Sequence, residues 1–128
     1  YQYKPKNQQG QDTNKVLIGA FDNTFYVASE ADFYLFNVSR DIETSFNAID
    51  KMSCYNNFGM IKPKRSSPGV GNTTLQNLLG CTLKTDAITT YVELISGVNS
   101  AFVNGPGIGL IDDKSWSHRI NINVGYYF

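Results

Sequence analysis

From His118 to Phe128 the chain alternates without a break. Ile120, Ile122, Val124, Tyr126 and Phe128 take the even positions; Arg119, Asn121, Asn123, Gly125 and Tyr127 take the odd ones. Side chains of an extended strand point alternately to opposite faces, so this spacing builds one apolar face and one polar face. A helix would scatter the same residues around its circumference. The segment therefore predicts an antiparallel strand over 118–128, packed in a sheet rather than frayed.

The rest of the chain is read around that strand. With 128 residues, 41% hydrophobic and 13% aromatic, it is long and apolar enough for one core-forming domain. Residues 1–13 (YQYKPKNQQGQDT) are polar and broken by Pro5 and Gly10, which predicts a flexible or loosely docked arm before a single globular domain over 14–128. Runs 15–21, 24–29 and 32–39 are rich in aromatic and β-branched residues and predict strands, with a turn at Asp22-Asn23. Then the period changes. Ile42, Phe46, Ile49 and Met52 recur at helical spacing, Asp41 and Glu43 suit a first turn and Lys51 a last one, which predicts a helix over 41–52. An irregular stretch follows over 55–71. A second short helix is expected over 73–79, with Asn72 as its cap and Gly80 as its stop. The segment 87–96 fits either period, and its β-branched residues favour a strand; short strands are also expected at 101–103 and 107–111. The expected fold class is α+β: mainly antiparallel sheet with one or two short helices.

Eleven basic and eleven acidic residues cancel, so no charge surplus favours a nucleic-acid partner. Charged residues make up 17%, below the roughly 25% usual in globular domains, and a surface of uncharged polar groups suits an extracytoplasmic protein. The chain opens on Tyr1 rather than Met, as a mature secreted form or a trimmed chain would. No apolar run reaches the roughly eighteen residues of a membrane-spanning helix. Cys54 and Cys81 are the only cysteines, and an oxidising compartment would join them.

Chemistry is sparse. His118, the one histidine, lies near Asp112, Asp113 and Lys114, an arrangement that would suit a small secreted hydrolase or nuclease using His118 as a base. The same residues read more simply as a solvated loop leading into a strand. Lys62, Lys64 and Arg65 form the only basic cluster, a candidate contact for an anionic ligand. One histidine and two distant cysteines make no metal pattern, and the glycine-rich stretches 69–71 and 105–109 lack the phosphate-binding signatures, so neither metal nor cofactor is expected.

Eight Tyr and eight Phe exceed what a small core needs, which points outward to contacts with a partner. The resulting expectation is a secreted or cell-surface, non-enzymatic assembly or adhesion module. It would bind other protein subunits or a host-surface receptor, as a homo-oligomer or part of a larger assembly. The ending Val124-Gly-Tyr-Tyr-Phe128 also resembles the closing strand of an outer-membrane β-barrel, which implies that the chain is a fragment of such a barrel. The two expected helices, the irregular stretch and the cysteines depart from that pattern.

Overall fold

The computed structural model describes residues 1–2, 13–20, 23–65, 72–103 and 114–128. Seven strands follow in order: β1 (Lys15–Ala20), β2 (Asn23–Ala28), β3 (Ala31–Ile42), β4 (Lys51–Pro63), β5 (Thr74–Thr85), β6 (Ile88–Val98) and β7 (Ser117–Tyr126). β1 and β2 pair as a hairpin; β3 to β7 form one antiparallel meander in chain order. The fold is all-β. The α+β expectation fails, because the described residues contain no helix.

Each misread helix has a physical cause. Ile42 and Met52 close a hairpin: they are cross-strand partners of β3 and β4, and residues 43–50 turn between them. Within that turn Ile49 N donates to Phe46 O at 3.0 Å, and Asp50 N donates to Lys84 O at 2.8 Å. The apparent helical stripe therefore joins two strands and a turn. Residues 73–79 instead enter β5, where Leu75 and Leu79 share one face and Leu78 takes the other. Gly80 does not stop a helix but lies mid-strand. The stretch from 55 to 63, expected to be irregular, completes β4, and residues 101–103 form a turn instead of a strand. The expected strand at 107–111 lies outside the described residues.

The meander has two unlike ends. At one, residues 43–50 and the pair Asp86-Ala87 connect strands; at the other, the longer segments 64–73 and 99–116 do so. Asp86 holds φ 48° in the tight β5–β6 turn, where Asp tolerates the left-handed region, and its N–H donates to Asp50 Oδ2 at 2.6 Å.

What core exists lies at the long-loop end. Ala28 and Ala31 are fully buried and pack against Ile61; Phe25 and Val98 are also buried. Phe25 of β2 meets Phe102 edge-on at 5.9 Å, linking the hairpin to the segment after β6. Of the expected arm, Tyr1 and Gln2 dock here: Tyr1 N donates to Ala31 O at 2.7 Å, its hydroxyl donates to Ala28 O at 3.0 Å, and Gln2 bridges to Glu30.

Candidate functional site: a sheet with one apolar and one polar face

Strand register sorts every residue of the meander onto one of two faces. The row Arg40–Cys54–Cys81–Val92–Ile122 lies on one face, and the next row, Ser39–Tyr55–Gly80–Glu93–Asn121, on the other. The first face is apolar, and none of the described residues covers it. Ile120, Ile122, Val124 and Tyr126 are between 64% and 71% exposed, and Phe36, Val38, Leu79, Val92 and Leu94 are exposed beside them. A sheet that formed half of a soluble sandwich would bury such a face.

The apolar positions form a band that steps across the strands. On β3 the run Tyr34–Val38 centres on Phe36, with Asp32 and Arg40 four residues to either side. On β4 the run Met52–Met60 centres on Asn56, and on β5 Leu79–Leu83 centres on Cys81, bounded by Asn77 and Thr85. On β6 Ile88–Leu94 centres on Tyr91, with Ser96 beyond; on β7 Ile120–Tyr126 centres on Asn123, with His118 before it. Phe36 is linked by register through Phe58, Asn77 and Ser96 to His118, whereas the β7 centre is Asn123. The band thus shifts five residues (118 to 123) over four strand steps, by two, two and one toward the short-turn end from β3 to β6 and not at all from β6 to β7.

Polar side chains on this face bond to one another. Asn56 Nδ2 donates to Asn77 Oδ1 at 2.9 Å, and His118 Nδ1 lies 2.8 Å from Ser96 Oγ. Paired in this way, they offset much of the cost of leaving water.

The opposite face is polar toward the short-turn end. Glu93 accepts from the Tyr55 hydroxyl at 2.7 Å on one carboxylate oxygen and from Asn121 Nδ2 at 2.7 Å on the other. Gly80 makes the arrangement possible: a Cβ there would lie 3.0 Å from the Tyr55 ring and 3.0 Å from Glu93 Cγ. Burial, then the hydrogen bond to Glu93 and that carboxylate's charge, pushes the Tyr55 hydroxyl up to about 12. Toward the long-loop end this face turns apolar, and Phe33, Leu35, Ile61 and Phe102 line a groove of about 220 Å³. Its rim is fixed by Ser100 Oγ donating to Gln76 Oε1 at 2.9 Å.

The residues singled out in the sequence are not brought together. Cys54 and Cys81 are bonded, as expected, from mid-strand positions facing each other across β4 and β5. His118 is exposed and meets Ser96; Lys114 is exposed in the loop before β7; Asp112 and Asp113 lie outside the described residues. In the basic cluster, Lys64 pairs with Asp32 at 3.1 Å and Arg65 with Glu30 at 3.2 Å, while Lys62 stands in register with Asp32. Lys64 is held above the usual lysine value by its bond to Asp32. Among the described residues no group of three or more metal-ligating side chains occurs, and there is no helix long and apolar enough to cross a membrane. Sequence reasoning missed Tyr55, Glu93 and Asn121, whose only signal is their shared row. Compared with protein families, with curated proteins and with solved structures, the chain matches none.

Proposed function

We propose that β3 to β7 form part of the wall of a membrane-spanning β-barrel, with the apolar face against acyl chains and the polar face toward the lumen. The stepped apolar band carries this reading. A strand inclined to the membrane must shift its lipid-facing residues relative to its neighbour, so that the band stays level. Five residues over four steps, at about 3.3 Å per residue and about 4.8 Å per strand, correspond to an inclination of about 40°, inside the range for such barrels. Polar side chains four or five residues from the band's centre then bound a slab about 20–25 Å tall, the height of a barrel's apolar belt. Strands of 10 to 13 residues are long enough to cross it. Aromatic side chains sit toward both margins, Tyr126 at one and Trp116 and Tyr34 at the other, as interfacial rings do.

Five strands are fewer than the eight of the smallest barrels, so further strands must come from other copies or from more chain. A second reading, an extracytoplasmic assembly or adhesion module, draws on the edges of β3 and β7, which carry no neighbouring strand among the described residues. The disulfide is compatible with an extracytoplasmic location under either reading.

The test uses the oxidised full chain, refolded with dilauroylphosphatidylcholine vesicles and floated on a density gradient. The membrane reading expects flotation, strand-type circular dichroism, and quenching of the sole tryptophan, Trp116, by lipids brominated near the headgroup. A chain that stays in the aqueous fraction as a discrete soluble oligomer would refute it and favour the assembly module.

A further inference from the structure

We infer that the Cys54–Cys81 bond is made in water, by thiol–disulfide exchange with a soluble oxidant, before the sheet enters the bilayer, and that it afterwards faces acyl chains beyond the reach of polar reductants. This rests on the membrane reading above. Cys81 is the midpoint of the apolar run of β5, and Cys54 lies two residues from that of β4. Met52, Leu79, Leu83 and Val92 surround the pair on the same face. Arg40 is the only charged side chain in their row, and it sits on the edge strand, four residues from the centre of its own run. Exchange proceeds through a thiolate, and a thiolate does not form in hydrocarbon. The bond must therefore precede insertion.

In the exchange, one cysteine thiolate attacks the oxidant's disulfide, and a mixed disulfide forms as one oxidant thiolate leaves. The second cysteine thiolate then attacks the chain's own sulfur in that mixed disulfide and releases the remaining oxidant sulfur as a thiolate. Two electrons pass from chain to oxidant, and the two protons lost by Cys54 and Cys81 end on the oxidant's thiols. The consequence is a fixed register. Asn56, Gly59, Asn77 and Gly80 interrupt the patterns of β4 and β5, and a one-residue slip would exchange their two faces. A bond between Cys54 and Cys81 forbids it.

The inference is tested on the vesicle-floated full chain with a charged phosphine reductant added outside, free thiols being counted by a maleimide–polyethylene glycol gel shift. Reduction should be at least about tenfold slower than in the urea-unfolded chain. In the reverse order, a chain reduced first and then mixed with vesicles should either fail to insert or insert and form no bond with oxidised glutathione. Equal reduction rates in floated and unfolded chain, or ready bond formation after insertion, would overturn the inference and leave the membrane reading standing. A chain that never floats removes both.

Discussion

The two faces of the meander share one backbone and one hydrogen-bond ladder, yet their side chains are built for different surroundings. On the apolar face, neighbours such as Leu79, Leu94 and Ile120 lie in one row and are exposed, with none of the described residues over them. On the polar face one row over, Tyr55, Glu93 and Asn121 are tied into a network around a glycine. A water-soluble sheet hides its apolar face and wets its polar one. Here the apolar face is broad and level only along an inclined line, with the paired amides of Asn56 and Asn77 set into it, while the polar face makes its own hydrogen bonds. The difference teaches that the surroundings of this sheet are asymmetric, and substitutions on adjacent residues of one strand can measure the asymmetry.

The largest expected effect is at the centre of β7. Ile122→Arg places a cation near the middle of the band and should lower the stability of the vesicle-folded protein by about 2–4 kcal/mol. Asn123→Arg, one residue away on the other face, should change it by no more than about 0.5 kcal/mol. Urea unfolding of both variants in the same vesicles makes the comparison. Equal losses would mean that the two faces are not distinguished by lipid.

That pair of neighbours also marks what the sequence made legible. The alternation of β7 is uninterrupted because its polar positions, Arg119, Asn121 and Asn123, all fall on one face, so the strand and its two-sidedness were readable directly. β4 and β5 carry the same alternation with breaks. Asn56 and Asn77 stand on the apolar face, where their amides satisfy each other, and the adjacent Leu78 and Leu79 serve opposite faces. Local periodicity cannot see a bond between residues 21 apart, so both segments looked helical or irregular. The helical stripe at 42–52 arose because a hairpin of that length brings Ile42 opposite Met52. The polar network was less legible still. Tyr55, Glu93 and Asn121 come from three strands, and only the register, which Cys54 opposite Cys81 helps to fix, lines them up.

Next in size is the glycine beneath that network. Gly80→Val puts a side chain where Tyr55 and Glu93 Cγ already sit, and either the ring moves and loses its bond or the strands part, at about 1–3 kcal/mol. Because the Tyr55 ring is one of the two groups in the way, the loss from Gly80→Val should be smaller in a Tyr55→Ala background than alone. A double-mutant cycle showing simple additivity would mean that the close approach contributes nothing.

A smaller effect appears in alkali. The Tyr55 hydroxyl, at 10.0 in the unfolded chain, is raised to about 12 in the fold. Between those values the unfolded chain loses a proton that the folded chain keeps, so stability falls as pH rises. The contribution is complete below pH 10. Tyr55→Phe should remove this component of the alkaline loss, and a tyrosinate absorbance titration should lose its late-titrating step. An unchanged slope would place Tyr55 in water and dissolve the network.

The smallest effect separates the sheet's interior charge from its surface ones. Lys64–Asp32 has a contact of 3.1 Å, but the two side chains are 48% and 43% exposed. Water and salt screen such a pair, and ordering a lysine side chain offsets what attraction remains. Lys64→Ala should therefore leave stability within measurement error in moderate salt. Glu93, with both oxygens occupied by neutral donors on the polar face, should behave otherwise: Glu93→Ala removes the acceptor from two ordered groups and costs about 1 kcal/mol, with little dependence on salt. If Lys64→Ala proved as costly as Glu93→Ala, and the cost disappeared at high salt, the order of these two sites would reverse. The long-loop margin, not the polar face, would then hold the stronger electrostatics of the sheet.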